Sequence, residues 1–203
     1  LAAQITGQVS CPTVGIGGFL LQGGQGWAAR GLGWAAEWVE AVDVVTADGS
    51  LVRADATENS DLYWAARGAG PSFPGIVTRF HLRTRPAPGY LAESILLFGL
   101  DDYDDVFTWL HEMHHDVDPR VEIVTISATP PFPIPGHEHV TGHVIAVTGV
   151  ALVDTPDEAA AVLEPFADCP LLDRALMSVL CEPVTFDDLR ARQTMANPEG
   201  HRY

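Results

Sequence analysis

Residues 11–26 restrict the fold of this sequence more than any other part, because they set one cysteine beside a dense run of glycines. The stretch reads Cys-Pro-Thr-Val-Gly-Ile-Gly-Gly-Phe-Leu-Leu-Gln-Gly-Gly-Gln-Gly and holds six glycines. Glycine has no Cβ, so its backbone reaches positive φ without strain and approaches a phosphate or a planar ring closely. The stretch therefore predicts a cofactor cradle with a nucleophile beside it. A glycine-rich turn between strands is the simpler alternative.

Two familiar nucleotide motifs do not fit this run. It lacks the Gly-Lys-Ser/Thr ending of a phosphate loop. The segment 15–18, Gly-Ile-Gly-Gly, starts like a dinucleotide fingerprint. However, the strand, the helix and the downstream acidic residue that such a fingerprint needs are not in place. The sequence therefore predicts neither a phosphate-loop site nor a doubly wound dinucleotide site.

Charge and length limit the kinds of partner. The chain has 203 residues, a formal net charge of −16, no lysine and eleven scattered arginines. Binding to nucleic acid requires clustered cations that release counterions, so we expect no nucleic-acid partner. No apolar run approaches the roughly 20 residues that span a bilayer, and no basic amphipathic stretch is present, so we expect no membrane partner. The length suits one large or two small domains.

The three cysteines and the first residue bear on the compartment. Cys11, Cys169 and Cys181 are too few for a disulfide framework. Cys169 and Cys181 are either a pair in an oxidising compartment or two buried free thiols. The sequence starts at Leu1 without an initiator methionine or a signal segment, so we expect that the true beginning is missing. A cytoplasmic location is favoured and export stays open.

The first part of the chain alternates short apolar segments with turns. Residues 41–53 predict a hairpin that turns at Asp48-Gly49, and 58–67 predict a helix. We expect Asn59 or Ser60 to cap this helix and Leu62, Trp64 and Ala65 to face inward. Residues 76–84 alternate like a strand, and the Pro/Gly cluster 85–89 then breaks the chain. We place a domain boundary there, between 88 and 89.

The second part reads as long strands and two helices. Strands are predicted at 90–100, 121–128 and 139–152, and helices at 101–117 and 156–167. Thr155 and Glu158 have the spacing of a capping box for the second helix. This order favours an α+β fold with an antiparallel sheet covered on one face by helices.

Five blocks taken together resemble a known family. They are residues 11–26, 34–37, 42–49, 61–70 and 75–78. Their order and spacing resemble those of the FAD-linked oxidases of the vanillyl-alcohol oxidase and p-cresol methylhydroxylase (PCMH) superfamily, in the berberine-bridge-enzyme-like branch. The resemblance implies that residues 1–88 are the second part of a PCMH-type FAD-binding domain. Residues 89–203 would be the first part of the substrate domain, both domains being incomplete and the piece alone inactive.

The resemblance also assigns site residues. Cys11 stands where that branch joins the flavin through a 6-S-cysteinyl bond, beside a histidyl link that would lie before Leu1. Backbone amides of a glycine-rich loop favour the thiolate that such a bond needs. From the bare sequence, a packed core thiol is the alternative for Cys11. The cofactor contacts implied by the resemblance are Cys11, Pro12, Thr13, Val14, Gly15, Gly17, Gly18, Gly23, Gly24, Gly26, Ile76 and Val77.

Two positions depart from the family pattern, and other candidates have plain alternatives. Phe19 and Gln25 stand where many members have histidine and tyrosine, which puts side-chain contacts to flavin there in doubt. Ile76 and Val77 resemble a backbone clamp on the cofactor but also read as the start of a strand. The five tryptophans, Trp27, Trp34, Trp38, Trp64 and Trp109, are expected in the core rather than on the cofactor.

Two groups of histidines raise other possibilities. His111, His114 and His115 have helical spacing suitable for zinc, but their helix is acidic and expected to be solvated, so we predict no metal. His137, His139 and His143 share a face of a predicted strand, where they line a substrate surface or face water.

The sequence thus predicts an FAD-dependent oxidase. It would take a hydride from an alcohol, a sugar or a natural product, and pass the electrons to oxygen, with the flavin attached through Cys11. A flavin dehydrogenase with another electron acceptor and a noncatalytic flavin-binding remnant are the alternatives. The resemblance places the catalytic residues after Tyr203, so none is predicted within this chain.

Overall fold

The computed structural model describes residues 4–5, 14–130 and 132–196, with side chains to residue 193. This backbone divides into two compact units, and the chain passes from the first to the second after Ala87 and returns to the first after Thr185. The second unit spans Pro88–Thr185, and the helix Phe186–Ala196 groups with the first unit. The predicted domains 1–88 and 89–203 differ from these units in the place of that helix. How the units map onto the domains of a longer enzyme stays a prediction.

The first unit is built on a three-stranded antiparallel sheet with short helices. Its helices are α1 (Ile16–Leu21), α2 (Ala29–Leu32) and α3 (Ser60–Ala65). Its strands are β1 (Gln4–Ile5), β2 (Val39–Val45), β3 (Leu51–Asp55), β4 (Ile76–Leu82) and β5 (Arg85–Pro86). Strand β2 lies between β3 and β4, and β1 pairs with β5. Buried residues of α1 and of the sheet form one core, with Leu20, Val42 and Val44 at most 1% exposed.

The predicted hairpin is confirmed, and its turn is held by local hydrogen bonds. Oδ1 of Asp48 accepts bonds from Thr46 Oγ1 at 2.6 Å and from the Ser50 backbone N–H at 3.1 Å. Gly49 takes φ of +84°, which an L side chain rarely adopts. The bond from Thr46 is the main reason why the pKa of Asp48 is lowered. Strands β2 and β3 pair from Val45↔Leu51 to Ala41↔Asp55.

Helix α3 is confirmed, but two expectations about its side chains are wrong. Asn59 precedes the helix in the left-handed region, with φ of 47°, and its side chain does not cap the helix. Its Nδ2 donates instead to the Arg53 carbonyl at 2.7 Å. Trp64 does not face inward: it is 75% exposed, while Ala66 is fully buried. Leu62 packs against the core of the first unit as predicted, and Tyr63 packs there where Trp64 was expected.

The second unit has the predicted antiparallel sheet with helices on one face. Its elements are β6 (Tyr90–Phe98), α4 (Tyr103–Met113), β7 (Val121–Ala128), β8 (Val144–Val153), α5 (Pro156–Ala167) and β9 (Met177–Pro183). The strand order is β7-β8-β6-β9. Trp109 of α4 and Phe166 of α5 meet edge to face in the core, with ring centroids 6.2 Å apart.

The cap of α5 is also as predicted. Thr155 Oγ1 accepts a bond from the Glu158 backbone N–H at 3.2 Å. The Glu158 carboxylate accepts a bond from the Asp154 backbone N–H at 2.9 Å. In a standard capping box it would accept one from the backbone N–H of Thr155 instead. The first bond satisfies a donor that the first turn of a helix leaves open, and the second holds the residue ahead of the N-cap.

Three features of the second half were missed or misplaced. Strand β8 starts at Val144, five residues later than the predicted 139, so His137, His139 and His143 lie ahead of it and share no strand face. Strand β9 was not predicted. A bulge opposite Ser94 interrupts it: Cys181 there takes φ of +51° and its backbone N–H donates to Ser94 Oγ at 3.0 Å. Helix α6 (Phe186–Ala196) was not predicted either.

Cys169 and Cys181 are free thiols. Burial raises the pKa of both, which disfavours the reactive thiolate. No helix in the described part of the chain is long and apolar enough to cross a membrane.

Candidate cofactor site

The glycine run folds into α1 and a tight turn after it. Leu20 of α1 is 1% exposed and anchors the helix in the core of the first unit. The helix leaves Gly15 and Gly18 exposed, and an added Cβ would meet no atom within 4 Å at either position. Gly17 lies on another side, where a Cβ would come 3.8 Å from the Phe80 ring. The exposed glycines therefore offer bare backbone to a ligand.

The turn after α1 needs glycine for its own reasons. Gly23 and Gly24 have φ of +101° and +73°. Their carbonyls accept bonds at 2.8 Å from the backbone N–H groups of Ala36 and Ala35. At Gly24 a Cβ would lie 2.6 Å from the Phe19 ring, closer than real contacts allow. The pair thus fixes the run to the helical turn Ala35–Trp38.

An open cleft of about 480 Å³ lies along this run, and we refer to it as the glycine cleft. It combines apolar side chains with two glutamines, and ligand sites are usually lined by apolar groups with a few polar ones. Phe19 and Gln25, which stand in for the family's histidine and tyrosine, both face it. Its lining residues are Val14, Gly15, Gly18, Phe19, Gln22, Gly24, Gln25 and Trp34.

A second open cleft, of about 550 Å³, adjoins the first, and we refer to it as the tryptophan cleft. The two clefts share Gln22 and Trp34. Trp34 and Trp64 are 51% and 75% exposed, so neither is the core residue that the sequence predicted. The lining residues of the tryptophan cleft are Gln22, Gly23, Trp34, Ala36, Glu37, Trp64, Ala65, Arg67, Gly68 and Ala69.

Arg67 is the cation of the tryptophan cleft. Its guanidinium carbon lies 4.3 Å from the centre of the Tyr63 ring, and Tyr63 Oη donates to the Val39 carbonyl at 2.8 Å. This stacking holds the guanidinium in one place. Its Nε is buried and has no hydrogen-bond partner within the described residues.

The structure brings together only some of the predicted cofactor residues. Cys11, Pro12 and Thr13 lie outside the described residues. Val14, Gly15, Gly18 and Gly24 line the glycine cleft, and Gly23 lines the tryptophan cleft. Gly26 lines neither of these two, and its carbonyl accepts a bond from the Ala29 N–H at 3.2 Å. These contacts stay predictions.

The two residues of the predicted backbone clamp on the cofactor lie at the start of a strand. Ile76 and Val77 open β4 and pair with Val45 and Val44 of β2. Ile76 is 69% exposed, while Val77 is partly buried against the core of the first unit. A cofactor contact by these two residues stays a prediction as well.

Sequence reasoning missed the tryptophan cleft. Its signal was present in the segment 61–70, where Trp64 and Arg67 are three positions apart within the predicted helix 58–67. The sequence instead predicts Trp64 in the core, because tryptophan contributes a large apolar surface to protein cores.

The histidines form no metal centre in the described residues. No group of three or more His, Cys, Asp or Glu side chains there is arranged to hold a metal ion. The rings of His114 and His115 lie 3.7 Å apart at the end of α4. His139 and His143 are exposed.

Comparison with known proteins identifies the ligand class. The family described as the FAD binding domain matches residues 3–55. The FAD-linked oxidoreductase ptmO of Penicillium ochrochloron is 38% identical over 197 residues, which cover 95% of this chain and 41% of that protein. The xylooligosaccharide oxidase of Thermothelomyces thermophilus is 52% identical over 79 residues, covering 39% of this chain and 16% of that protein. The chain thus spans well under half the length of these relatives.

Solved structures share the fold over nearly the whole chain. BBE-like 1 of Physcomitrella patens superposes with a TM-score of 0.75 at 23% identity, over 99% of this chain and 40% of that one. The glucooligosaccharide oxidase of Acremonium strictum, known for its 6-S-cysteinyl, 8α-N1-histidyl FAD, gives a TM-score of 0.72 at 22% identity. That match covers 98% of this chain and 38% of that one.

The residues present fit the cofactor of this family, FAD. Gly15 and Gly18 leave an open cradle that a Cβ would partly fill. The buried Nε of Arg67 has no acceptor among the residues that the structure describes, and an arginine N–H bonds well to a phosphate oxygen. Residues 3–55 thus match the FAD binding domain family, and nearly the whole chain is similar in sequence to an FAD-linked oxidoreductase and in fold to a BBE-like protein, in agreement with the resemblance that the sequence blocks carry.

Proposed function

We propose that the protein containing this chain is an FAD-dependent oxidase whose flavin is attached covalently through Cys11. Bound FAD supplies the hydride acceptor, and oxygen is the final acceptor of the electrons. The substrate class is an alcohol, a sugar or a natural product. Sugars gain support from the xylooligosaccharide oxidase, which matches this chain at 52% identity over 79 residues.

One observation carries the proposal: Val14, which is three positions after Cys11 in the sequence, lines the glycine cleft. Val14 and Gly15 line that cleft. Three residues of chain span at most about 11 Å, so the Cys11 Cα is within that distance of the Val14 Cα. A thiol tethered so closely to a flavin in the cleft has a high effective concentration for bond formation.

The residues of the cleft have distinct tasks in this proposal. The bare backbone of Gly15 and Gly18 lets a planar ring approach. Phe19 and Gln25 take the places of a histidine and a tyrosine common in the family, so they provide an apolar surface and an amide there. A thioether from Cys11 retains the cofactor and makes it a stronger oxidant.

Two experiments on the full-length protein test the proposal. After acid precipitation, yellow colour in the pellet supports a covalent flavin. Colour in the supernatant shows ordinary binding, and no colour at all shows a noncatalytic remnant.

Cys11→Ala is expected to lower the flavin's reduction potential and slow turnover, with Cys181→Ala as the control thiol. An unchanged potential in Cys11→Ala contradicts the link.

The dehydrogenase alternative is tested by the electron acceptor. An oxidase forms hydrogen peroxide with oxygen at a rate similar to that seen with an artificial dye. Turnover with the dye alone contradicts the oxidase and identifies a dehydrogenase.

A further inference from the structure

One flank of α4 leaves large apolar side chains uncovered. Leu100, in the helical turn just ahead of α4, is 49% exposed, and Tyr103 and Phe107 of α4 are 53% and 41% exposed. The Tyr103 and Phe107 rings lie beside each other, with centroids 4.5 Å apart. Residues three or four positions apart are neighbours on a helix surface, so the three side chains form one aromatic patch. Grouped apolar side chains on a surface mark interaction sites, whereas single ones do not.

Open carboxylates accompany the aromatic patch. Asp104 is a neighbour of Phe107, three positions ahead of it, and Asp101 lies three positions before Asp104. Both are exposed, and neither forms an ion pair with any residue that the structure describes. The second unit, Pro88–Thr185, holds 17 Asp and Glu against two Arg and no Lys, a net charge of −15. Such a surface attracts cations and repels anions.

The other flank of α4 shows what its carboxylates bind. Arg174 Nη1 donates to Asp105 at 2.7 Å, and its Nη2 donates to Asp102. Asp105 is two positions from both rings of the aromatic patch, and residues so spaced do not face each other on a helix. One flank of the helix thus has its arginine within the chain. The flank with the aromatic patch has none among the described residues.

Charge and ring chemistry together select the partner. An acidic surface repels nucleic acid and anionic membranes, and a second copy in a two-fold contact would bring an identical acidic helix. A guanidinium stacks on aromatic rings and donates paired bonds to a carboxylate, so it suits both parts of this surface. The chain uses this stacking itself, with Arg67 lying 4.3 Å from the centre of the Tyr63 ring.

We propose that the aromatic patch of α4 docks an arginine-bearing segment of a partner protein. A guanidinium of that segment stacks on Tyr103 or Phe107 and donates to the Asp104 carboxylate. Apolar side chains of the segment contact Leu100. The inference concerns the surface of the second unit and does not depend on the flavin or its substrate.

The first test measures peptide binding to the full-length protein by fluorescence anisotropy. The probe is a short labelled peptide that alternates arginine with leucine. The comparison peptide has lysine in place of every arginine and so carries the same charge. We expect the arginine peptide to bind at least about fivefold more tightly. Equal affinities overturn the inference. Absence of binding also overturns it, since the rest of the protein then covers the patch.

Two variants test the stacking and the ion pair separately. We expect F107S and D104N each to weaken binding of the arginine peptide by at least about fivefold. Both replaced side chains are exposed, so the fold should be kept, and the melting temperature checks this.

F132S and D157N are the matched controls. Phe132 is 54% exposed, but its loop packs through Ile134 against Leu97, on the face of the sheet away from α4. Asp157 is an exposed carboxylate in the first turn of α5. Both controls should bind the arginine peptide like wild type. If they lose as much affinity as F107S and D104N, only overall charge and hydrophobicity matter, and the inference is overturned.

Hydroxyl-radical labelling provides a test without substitutions. The radicals oxidise exposed aromatic rings, and a bound segment shields the rings that it covers. With saturating arginine peptide we expect most of the oxidation of Tyr103 and Phe107 to be lost, while Phe132 is oxidised as before. Unshielded Tyr103 and Phe107 overturn the inference. Shielding by xylohexaose instead of the peptide would assign the patch to a neutral sugar and overturn it as well.

Discussion

Phe19 explains why the chain requires glycine at position 24. The ring of Phe19 fills the space that a side chain at Gly24 would occupy, 2.6 Å from an added Cβ, and φ there is +73°. A cofactor is therefore not needed to account for this glycine. The glycines that a ligand would explain are Gly15 and Gly18, which are exposed and unobstructed.

We accordingly expect Gly24→Val to unfold part of the first unit even without flavin. The left-handed backbone alone costs about 1–2 kcal/mol for a residue with a Cβ, and the overlap with Phe19 adds to this. Thermal unfolding of flavin-free protein measures the effect. If flavin-free Gly24→Val is as stable as wild type and only FAD is lost, the cofactor and not Phe19 dictates this glycine.

Gly18→Ala separates binding from folding more cleanly. A Cβ at Gly18 meets no protein atom, and alanine favours helix over glycine by about 0.5–1 kcal/mol, so the apoprotein should not be weakened. Because Gly18 lines the glycine cleft, we expect FAD affinity to fall by about tenfold. Equilibrium titration with FAD provides the value.

Gly17→Ala is the matched control for that prediction. Gly17 lies in the same helix but faces the Phe80 ring at an ordinary contact distance of 3.8 Å. The helix gains as much as in Gly18→Ala while the cleft stays open, so FAD affinity should stay near that of wild type. Equal affinities in the two variants would mean that the glycine cleft is not the flavin site.

At the scale of elements, Gly149 sets how α5 meets the sheet of the second unit. A Cβ at this position of β8 would overlap the Phe166 ring of α5. We expect Gly149→Ala to destabilise the protein by about 1–3 kcal/mol, as overpacked cores do. Denaturant unfolding measures this, with Gly142→Ala as a control because its Cβ would meet nothing. Adding Phe166→Leu should recover part of the loss; strict additivity of the two changes would contradict the contact.

The segment between β3 and α3 has a pH dependence of known sign. Backbone N–H groups of Thr57 and Glu58 donate to Oδ1 of Asp55 at 2.8 and 3.0 Å and hold the pKa of that carboxyl well below its usual value. A lowered pKa stabilises the folded state above the unfolded pKa of about 3.9, and this contribution is lost as the pH falls through the folded value. We expect Asp55→Asn to lower the melting temperature at pH 7 and to matter less at pH 3. An equal shift at both pH values would contradict this.

Elements with local signals were predictable, and elements that depend on distant contacts were not. The β2–β3 hairpin and the cap at Thr155 follow from turn and capping chemistry within a few residues. The exposure of Trp64 was not predictable, because which side of so short a helix is buried depends on the distant residues that pack against it. Strand β9 carries a bulge at Cys181 that forms only against Ser94 of a distant strand.

At the scale of the whole molecule, the sequence blocks predicted the FAD-binding domain and its cofactor, and residues of the first block line the glycine cleft. The tryptophan cleft could not be predicted, since Trp34 and Trp64 are 30 residues apart in the sequence and come together only in the fold. The chain spans 41% of its FAD-linked relative from Penicillium ochrochloron, so the activity of the whole protein remains our proposal.

Peptide mass mapping of the flavin-loaded, full-length protein tests the central proposal most directly. The chain has no lysine, so trypsin cuts it only after arginine, and Cys11 falls in the peptide that ends at Arg30. Cys169 and Cys181 fall in two other peptides, 121–174 and 175–190, and serve as internal controls. We predict a flavin adduct on the peptide with Cys11 and none on the other two. An unmodified Cys11 in protein with a full complement of FAD would contradict the proposal.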